Sequence, residues 1–407
     1  MKNIPGRIKI LSIHPRKQHN FEQAAVLAEL FPKRIKHITG IYFAPFLVRL
    51  VRRISPRYAN KIGKRSFYKL PGKYVISLPA TEIRKWRLER KQGPAHLSDF
   101  LELNEYWQKS VLRHIDPPQI CISYDGVSNL LFRNWKNKSK LILDLTIGIP
   151  QYRIKILHGD LFQNHMLEEV DEVRRRLFAT YKEEVELADM ILCGSEFTRK
   201  TVVYFYPGFE AKCKVLPYGA DLGKYDFPER LFSKEEKLKF VFVGRLSWRK
   251  GADLLIDAWR EFIVTHPGSE LHFFGIPDQE VKIDNLPENC FVHGWMASAD
   301  LIDQLKTMDV FVFPTTFEGS SYAIYQAMAL KLSVITTMNS GTVLAHGESC
   351  EMVEVGDQNG LVKAMDKMVN NPGYRQQLAE NAYALSKNYT WDDYKIRLGK
   401  ILDEMVS

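Results

Sequence analysis

A run of four apolar residues, FVFV at positions 240–243, is followed directly by the loop sequence GRLSWRKG at positions 244–251. Such a continuous apolar run is typical of a parallel strand that helices cover on both faces. Gly244 allows a tight exit from the strand. Arg245 and Lys250 then place two cations at the end of the strand, where both can reach one anion. Taken alone, the motif is better explained by an ordinary basic loop.

A second run of the same kind, VFVF at positions 310–313, leads into PTTFEGSSY at positions 314–322. The small residues at 319–321 stand at the start of a predicted helix, where unpaired backbone N–H groups form an anion site. Glu318 lies beside them, which indicates a carboxylate that accepts hydrogen bonds from hydroxyl groups, as on a sugar. A plain helix-capping motif explains these residues about as well.

Short β-type runs alternate with helix-length segments along the whole chain, a pattern that predicts parallel sheets in βα units. The predicted strands are Ile8–Ile13, His37–Tyr42, Tyr74–Ser77, Gln119–Ser123, Lys140–Leu145, Met190–Gly194, Lys214–Pro217, Lys239–Gly244, Glu270–Gly275, Cys290–His293, Val310–Pro314 and Ser333–Thr336.

The fold class predicted from this order is α/β, with two Rossmann-like domains that face each other across a cleft. Residues 1–220 form the first domain and residues 221–388 the second, with a linker at 218–236. Residues 389–407 form a helix, capped by Thr390 with Asp393 three positions on, that crosses back to the first domain. Open α/β sheets bind ligands at the carboxyl ends of their strands, so we expect the site in the cleft.

Composition limits the class of protein. The chain has 407 residues, of which 45% are hydrophobic and 26% charged, so disorder, collagen and a disulfide-stapled miniprotein are excluded. No stretch approaches the ~20 apolar residues that cross a bilayer, and the first twenty residues lack a signal-peptide core. Five scattered cysteines without CxxC spacing fit free thiols and no structural zinc site. We therefore expect a cytoplasmic protein.

Positive charge is concentrated in the first quarter of the chain. Residues 1–110 contain 23 Lys and Arg against 7 Asp and Glu, and residues 30–81 contain twelve basic residues and no acidic one. This asymmetry indicates a surface that meets phosphate groups. No nucleic-acid-binding motif is recognisable, so nucleic acid is not expected as a partner.

One helical stripe of apolar residues lies inside this basic region: Phe43, Phe46, Leu47, Leu50, Val51 and Ile54. Four arginines flank it: Arg49, Arg52, Arg53 and Arg57. A basic amphipathic segment of this kind can lie in the interface of an anionic membrane, and residues 43–73 are the predicted membrane contact. Packing of the stripe against the domain core is the alternative.

The two loop motifs, in this order and on this scaffold, resemble the C-terminal domain of retaining glycosyltransferases of family 4, which have the GT-B fold. Phe274–Pro277 is similar to the short glycine loop of that family. The resemblance is continuous from about residue 170 to 390 and loose over residues 1–165, where the acceptor is expected. Other similar stretches are 188–191, 195–198, 217–221, 292–296, 301–312, 327–329 and 333–337.

The resemblance implies a role for each motif residue. Arg245 and Lys250 would hold the diphosphate of a nucleotide-sugar donor, and Glu318 would hold hydroxyls of the transferred sugar; these three are the implied catalytic residues. Donor binding would also involve Gly244, Ser320, Ser321, Tyr322, Gln326, Trp295 and Met296.

The sequence also departs from the family pattern. Gln326 stands where the family has a second Glu, which normally binds the nucleotide ribose. Trp295 and Met296 stand where the base is usually received, although core packing explains them as well. Arg16 and Lys17 replace a glycine-rich loop after the first strand and would meet an acceptor or donor phosphate, or form a simple basic loop. Residues 146–150 lack the histidine that many relatives place against the donor sugar. His158 or His165 could replace it, although a lone histidine on a helix is more often structural, and the role stays open.

The expected function is that of a retaining hexosyltransferase without a cofactor. Metal independence is expected because no Asp-x-Asp metal pattern is present. The sugar would pass from a nucleotide-sugar donor, such as a UDP-sugar, to a lipid-linked or cell-surface glycan acceptor in polysaccharide or glycolipid biosynthesis. The resemblance implies that the acceptor attacks the face that the diphosphate leaves. A catalytically silent nucleotide-sugar-binding protein of the same fold is the alternative, prompted by Gln326 and the missing histidine.

Overall fold

A computed structural model describes residues 10–92, 96–159, 164–221 and 237–406 of the chain. Most of the predicted linker, residues 222–236, and the first two residues of the first predicted strand lie outside this described part. The contacts between residues divide the chain into two compact units. The first comprises the described parts of Met1–Leu192, Val202–Lys214 and Gly399–Ser407, and the second comprises those of Cys193–Thr201 and Val215–Leu398.

Thirteen strands are present in the described residues. In chain order they are β1 (Ile10–Ile13), β2 (Ile35–Thr39), β3 (Val75–Ser77), β4 (Ile120–Tyr124), β5 (Lys140–Leu145), β6 (Met190–Cys193), β7 (Cys213–Val215), β8 (Lys239–Val243), β9 (Glu270–Phe274), β10 (Cys290–Val292), β11 (Val310–Phe313), β12 (Ser333–Thr336) and β13 (Glu351–Met352).

Fifteen α-helices accompany these strands in the described residues. They are α1 (Asn20–Leu30), α2 (Pro45–Ile54), α3 (Pro56–Gly63), α4 (Ala80–Gln92), α5 (Leu97–His114), α6 (Asn129–Trp135), α7 (Gln151–His158), α8 (Glu172–Leu187), α9 (Glu196–Phe205), α10 (Ala252–Thr265), α11 (Ser298–Leu305), α12 (Tyr322–Ala329), α13 (Gln358–Asn370), α14 (Pro372–Ser386) and α15 (Trp391–Val406).

The strands form two separate sheets with the same topology. The first sheet has the order β3-β2-β1-β4-β5-β6-β7, and the second has the order β10-β9-β8-β11-β12-β13. Every strand pair that includes β1 or β8 is parallel. Both orders begin 3-2-1-4-5-6 when counted within the sheet, which is the strand order of the Rossmann fold. The predicted α/β class with two Rossmann-like domains is confirmed.

The predicted strands are all present, with described ends that differ by at most three residues, the largest difference being at the end of β2. Their apolar runs made them recognisable because both faces of each sheet carry helices: all four residues of β1 and of β11 are buried. In the second unit, the Phe242 ring lies 5.6 Å from that of Phe313 on the neighbouring strand. The Phe240 ring lies 5.5 Å from the Trp259 ring on α10. These contacts pack β8 against β11 and against α10.

The last helix, α15, begins as expected. The Thr390 hydroxyl accepts a hydrogen bond from the Asp393 amide at 3.1 Å, and the Asp393 carboxylate accepts one from the Thr390 amide at 3.0 Å. This reciprocal pair is a capping box, which satisfies two N–H groups that the first turn leaves unpaired. From Gly399 onward the helix belongs to the first unit, where Gly399 lies beside Leu30 of α1.

Candidate functional site

The loops that follow β8 and β11 meet at the carboxyl edge of the second sheet. β8 and β11 are neighbours, and the strand order reverses between them, so this edge is the topological switch point where open α/β sheets bind ligands. Gly251 has a left-handed backbone, with φ of 72°, and a Cβ there would lie 2.1 Å from the Pro314 carbonyl oxygen. Only glycine allows this approach, which brings the two loops together.

Two cations converge on one carboxylate at this meeting point. Nη1 of Arg249 lies 2.6 Å from Oε2 of Glu318, and Nζ of Lys250 lies 3.5 Å from the same oxygen. The Arg249 guanidinium also donates to the Phe317 carbonyl at 2.7 Å, and the Lys250 ammonium lies 5.0 Å from the centre of the Phe313 ring. Burial lowers the pKa of Lys250, and the Glu318 carboxylate opposes that shift.

Hydrogen bonds hold the chain around Glu318 and Gly319 in place. The Glu318 amide donates to the Asn339 carbonyl at 3.0 Å, and the Ser195 hydroxyl donates to the Gly319 carbonyl at 2.5 Å. Within the described residues, the amides of Gly319, Ser320 and Ser321 donate to no protein acceptor. Because α12 begins directly after them, these N–H groups lie at the positive end of a helix and are available to an anion.

Arg245 lies at the same sheet edge but has a different partner. Its guanidinium is 2.6 Å from the Asp278 carboxylate, and 64% of its side chain is exposed. A bridge between Leu246 and Pro277 brings Arg245 to the loop that follows β9. The structure therefore places Lys250 with Glu318, and it pairs Arg245 with a carboxylate to which the sequence analysis gave no role.

The residues assigned to the nucleotide lie on the same unit. Trp295 is 70% exposed, so core packing does not explain it, and Met296 is half-buried. Gln326 is buried on α12, and 42% of Tyr322 at the start of that helix is exposed. Gly244 has φ of 142°, and a Cβ there would lie 3.3 Å from the Lys250 side chain, so the glycine gives that lysine room.

In the first unit, the two cations after β1 have different surroundings. The Lys17 ammonium donates to the Ser66 carbonyl at 2.6 Å and lies over the rings of Phe21 and Phe67. This contact holds two loops of the protein together. Arg16 instead lines a cavity, with its guanidinium 5.3 Å from the centre of the Phe100 ring.

That cavity has a volume of about 90 Å³ and lies where β1, β4 and β5 end. The Asp125 carboxylate accepts hydrogen bonds from the Thr146 amide and the Tyr181 hydroxyl, each at 2.7 Å. Burial raises the pKa of Asp125 and lowers that of His14, which also lines the cavity, to about 3. The first sheet thus has a small polar cavity at its own switch point.

Three functional-site residues received no role in the sequence analysis: Arg249, Asp278 and Asp125. Arg249 lies inside the quoted loop motif, directly before Lys250. Asp125 directly follows a buried strand, which is a signal that could have found it, since strand ends form the site edge. Asp278 has no such signal, because its position depends on the path of the loop after β9.

Other elements of the described ranges add no further chemistry here. None of the five cysteines forms a disulfide. No group of three or more His, Cys, Asp or Glu among the described residues has the arrangement to hold a metal ion. None of the described helices is both long and apolar enough to span a membrane. His158 at the end of α7 is exposed, and His165 pairs with Glu169 at 3.6 Å.

Comparisons with known proteins address the same unit. Residues 237–371 match the family model described as Glycosyl transferases group 1. The capsular polysaccharide biosynthesis glycosyltransferase CapM of Staphylococcus aureus is 27% identical over 236 residues, which cover 53% of this chain and 62% of CapM. The chain spans about three fifths of the length of the first curated relatives that it matches.

Two solved structures share the fold along nearly the whole chain. Anabaena Alr3699/HepE, crystallised with UDP, has a TM-score of 0.63 at 13% identity, with 97% of this chain and 100% of that chain covered. Sucrose-phosphate synthase of Thermosynechococcus elongatus has a TM-score of 0.65 at 14% identity, with 98% and 99% covered. The match to the Glycosyl transferases group 1 model therefore covers the stretch that contains the Lys250 and Glu318 site, in a chain that shares the GT-B fold of two Rossmann-like units with these solved structures.

Proposed function

We propose that this chain is a retaining glycosyltransferase of family 4, which transfers a hexose from a nucleoside diphosphate donor to a lipid-linked or cell-surface glycan acceptor. The observation that supports this most is the convergence of Lys250 and Glu318 beside the amides of Gly319–Ser321, at the switch point of the second sheet. The cation and the amides suit the diphosphate of such a donor, and the carboxylate suits the hydroxyls of its sugar.

In the proposed reaction, the bond between the anomeric carbon and the diphosphate oxygen breaks. Negative charge grows on the departing diphosphate, and Lys250, Arg245 and the amides of residues 319–321 stabilise it. The anomeric carbon becomes oxocarbenium-like, as in glycoside hydrolysis. The acceptor hydroxyl then bonds to the face that the diphosphate leaves, and its proton passes to the departing phosphate oxygen. Glu318 holds the sugar hydroxyls throughout.

Uracil is the favoured base of the donor, and a growing surface polysaccharide the favoured acceptor. UDP is present in the crystal structure of Anabaena HepE, and CapM is named for capsular polysaccharide biosynthesis. The exposed indole of Trp295 offers a face on which a base can stack. Gln326 would contact the ribose through neutral hydrogen bonds.

A thermal-shift screen against UDP, UDP-sugars, GDP-sugars and ADP-sugars tests donor binding. A ligand at ~100 times its dissociation constant stabilises the folded state by about 2.7 kcal/mol. Lys250→Gln should remove the shift with both UDP and UDP-sugar, whereas Glu318→Gln should remove only the additional shift that the sugar gives. Lys282→Gln, an exposed lysine of the same unit, is the control. Absence of a shift with every nucleotide would contradict the proposal.

A nucleotide-sugar-binding protein without transferase activity is the second candidate, since Gln326 replaces a glutamate and residues 146–150 contain no histidine. The two candidates differ in turnover. If the chain binds the donor but neither transfers nor hydrolyses it, the result supports the nucleotide-sugar-binding protein. Release of nucleoside diphosphate, with loss of that release in Glu318→Ala, supports the enzyme. NMR of the product gives the anomeric configuration, and an inverted product would contradict retention.

A further inference from the structure

Helix α2 presents part of its apolar stripe to solvent. Phe46 is 67% exposed, Leu50 52% and Ile54 82%. These three residues are spaced by four positions, so they form one continuous row along the helix. On the opposite side, Val48 is buried and lies near Gly63 of α3. Val48 lies outside the stripe predicted from the sequence. That stripe is itself divided, because its other three residues, Phe43, Leu47 and Val51, are half-buried.

Basic residues border the exposed row. Arg49 and Arg53 follow Phe46 and Leu50 by three positions, which places them next to the row on the helix surface. Arg52 and Arg57 are exposed as well. Among the described residues, no carboxylate pairs with any of these four arginines. The nearest acidic residues in the sequence are Glu29 and Glu82.

From this arrangement we infer that α2 docks on the surface of an anionic lipid bilayer. A row of Phe, Leu and Ile enters the region between headgroups and acyl chains, while arginines beside it meet the lipid phosphates. A nucleic acid would satisfy the arginines, but it would leave three large aliphatic or aromatic side chains in contact with water and phosphate. Charge and apolarity together therefore favour the bilayer.

Tyr58 at the start of α3 is a further exposed residue close in the sequence to this row. Its side chain is 64% exposed, one position after Arg57. Tyrosine is enriched at membrane interfaces because its ring is apolar and its hydroxyl is polar. The proposed contact thus includes Phe46, Leu50, Ile54 and Tyr58, with Arg49 and Arg53 beside the row.

This inference rests on the proposed function and adds to it, because docking would hold the enzyme at the membrane, where a lipid-linked acceptor is found. Binding to vesicles is nevertheless measured without donor or acceptor. Binding to vesicles without binding of any nucleotide would contradict only the proposed transferase function. A chain that binds UDP but no vesicles would contradict only the docking surface.

Flotation of the full chain with phospholipid vesicles tests the inference. The vesicles consist of phosphatidylcholine alone, or of phosphatidylcholine and phosphatidylglycerol in equal parts. We expect binding to the mixed vesicles only, weakened by salt because the arginines contribute through screened charge. Each arginine near an anionic surface contributes a factor of about five in binding. The variant with Arg49, Arg52, Arg53 and Arg57 changed to Gln should therefore lose at least ~10-fold in binding.

A second variant isolates the apolar row. Phe46→Ser, Leu50→Ser and Ile54→Ser together should weaken vesicle binding at least ~10-fold, because these side chains no longer enter the interface. All three are exposed, so the thermal midpoint should stay close to that of the parent. Val264→Ser with Ile396→Ser, two exposed apolar residues of the second unit, is the matched control.

The charge control changes four exposed lysines elsewhere to Gln: Lys237, Lys282, Lys363 and Lys400. This control removes the same charge as the arginine variant and should retain most of the binding. Equal losses in the two charge variants would overturn the inference, as would unchanged binding in the serine variant. Equal binding to phosphatidylcholine alone, or tighter binding to duplex RNA that the serine variant retains, would also overturn it.

Discussion

Arg249 and Glu318 form an ion pair of 2.6 Å although 69 positions separate them in the chain. The pair joins the loop after β8 to the loop after β11, and the Arg249 backbone strengthens the connection. Its carbonyl accepts hydrogen bonds from the Thr316 amide at 2.9 Å and from the hydroxyls of Thr315 and Thr316 at 2.9 and 3.0 Å. Arg249 therefore holds Glu318 in position.

Arg249→Gln is expected to weaken the binding of a nucleotide-sugar more than that of the free nucleotide. Without the guanidinium, Glu318 keeps only the longer contact to Lys250 and no longer has a fixed orientation toward sugar hydroxyls. Loss of a hydrogen bond to a charged group costs about 1.5–3 kcal/mol, so donor affinity should fall ~10-fold or more. Calorimetry with UDP-glucose and UDP gives the two affinities.

Arg260→Gln is the control, since Arg260 is an exposed arginine on α10 of the same unit. Equal losses for UDP and UDP-glucose in the Arg249 variant would show that Arg249 does not act through the sugar site.

Asp278 is expected to compete with the donor for Arg245. Their ion pair is largely exposed, and such pairs contribute at most about 1 kcal/mol, so a diphosphate can replace the carboxylate at small cost. Asp278→Asn should raise the affinity for UDP about two- to fivefold. The thermal midpoint should change little.

The variant Arg245→Gln provides the second arm of this experiment. If Asp278 acts through Arg245, Asp278→Asn should have no effect on UDP affinity when Arg245 is already Gln. An equal gain in both backgrounds would contradict the competition.

The sequence predicted the sheets well because their central strands are buried on both faces and read as apolar runs. β13 was missed because it has only two residues, Glu351 and Met352, and no apolar run. The sequence predicted that Arg245 and Lys250 reach one anion, whereas Lys250 and Arg249 meet at Glu318 in the structure. This meeting depends on two adjacent strands, and strand adjacency follows from the fold. Which arginine reaches Glu318 depends on the short turn at Trp248–Lys250, and no pattern in the sequence determines that turn.

The apolar stripe on α2 also shows which features the sequence pattern predicts and which depend on packing. Its periodicity predicted a helix with one apolar side, and that helix is present at Pro45–Ile54. Periodicity does not say what covers the side. Phe46 and Ile54 are exposed because α3 covers only the part of the helix around Val48.

The folded state is expected to lose stability in weak acid because of His37. Burial lowers its pKa to about 3, and its ring contacts Asn20 and Ser12 at 3.2 and 3.0 Å. Below the ordinary histidine pKa of about 6.5, the unfolded chain binds a proton that the folded chain does not. Stability should therefore fall by about 2 kcal/mol between about pH 6.5 and pH 5 from this residue alone.

Urea unfolding at several pH values measures this effect. His37→Gln should be less stable near neutral pH but should show a flatter dependence below about pH 6.5. His158→Gln, which changes an exposed histidine, should keep the slope of the parent. The same slope in the His37 variant would contradict this origin of the acid sensitivity.

Gly251→Ala is expected to separate the two loops of the donor site. The new Cβ would stand 2.1 Å from the Pro314 carbonyl oxygen, on a backbone with φ of 72° that alanine adopts at a cost of about 1–2 kcal/mol. Relief of the clash must move Arg249 and Lys250 away from Glu318. We expect a loss of about 3 kcal/mol in stability and loss of the thermal shift with UDP.

Gly373→Ala is the matched control for this last variant, because Gly373 lies in α14 and a Cβ there would meet no atom within 4 Å. Alanine is favoured over glycine in a helix by about 0.5–1 kcal/mol, so this control should be slightly more stable than the parent and should keep its response to UDP. A Gly251→Ala variant that retained both stability and the UDP shift would show that the approach of the two loops does not hold the donor site together.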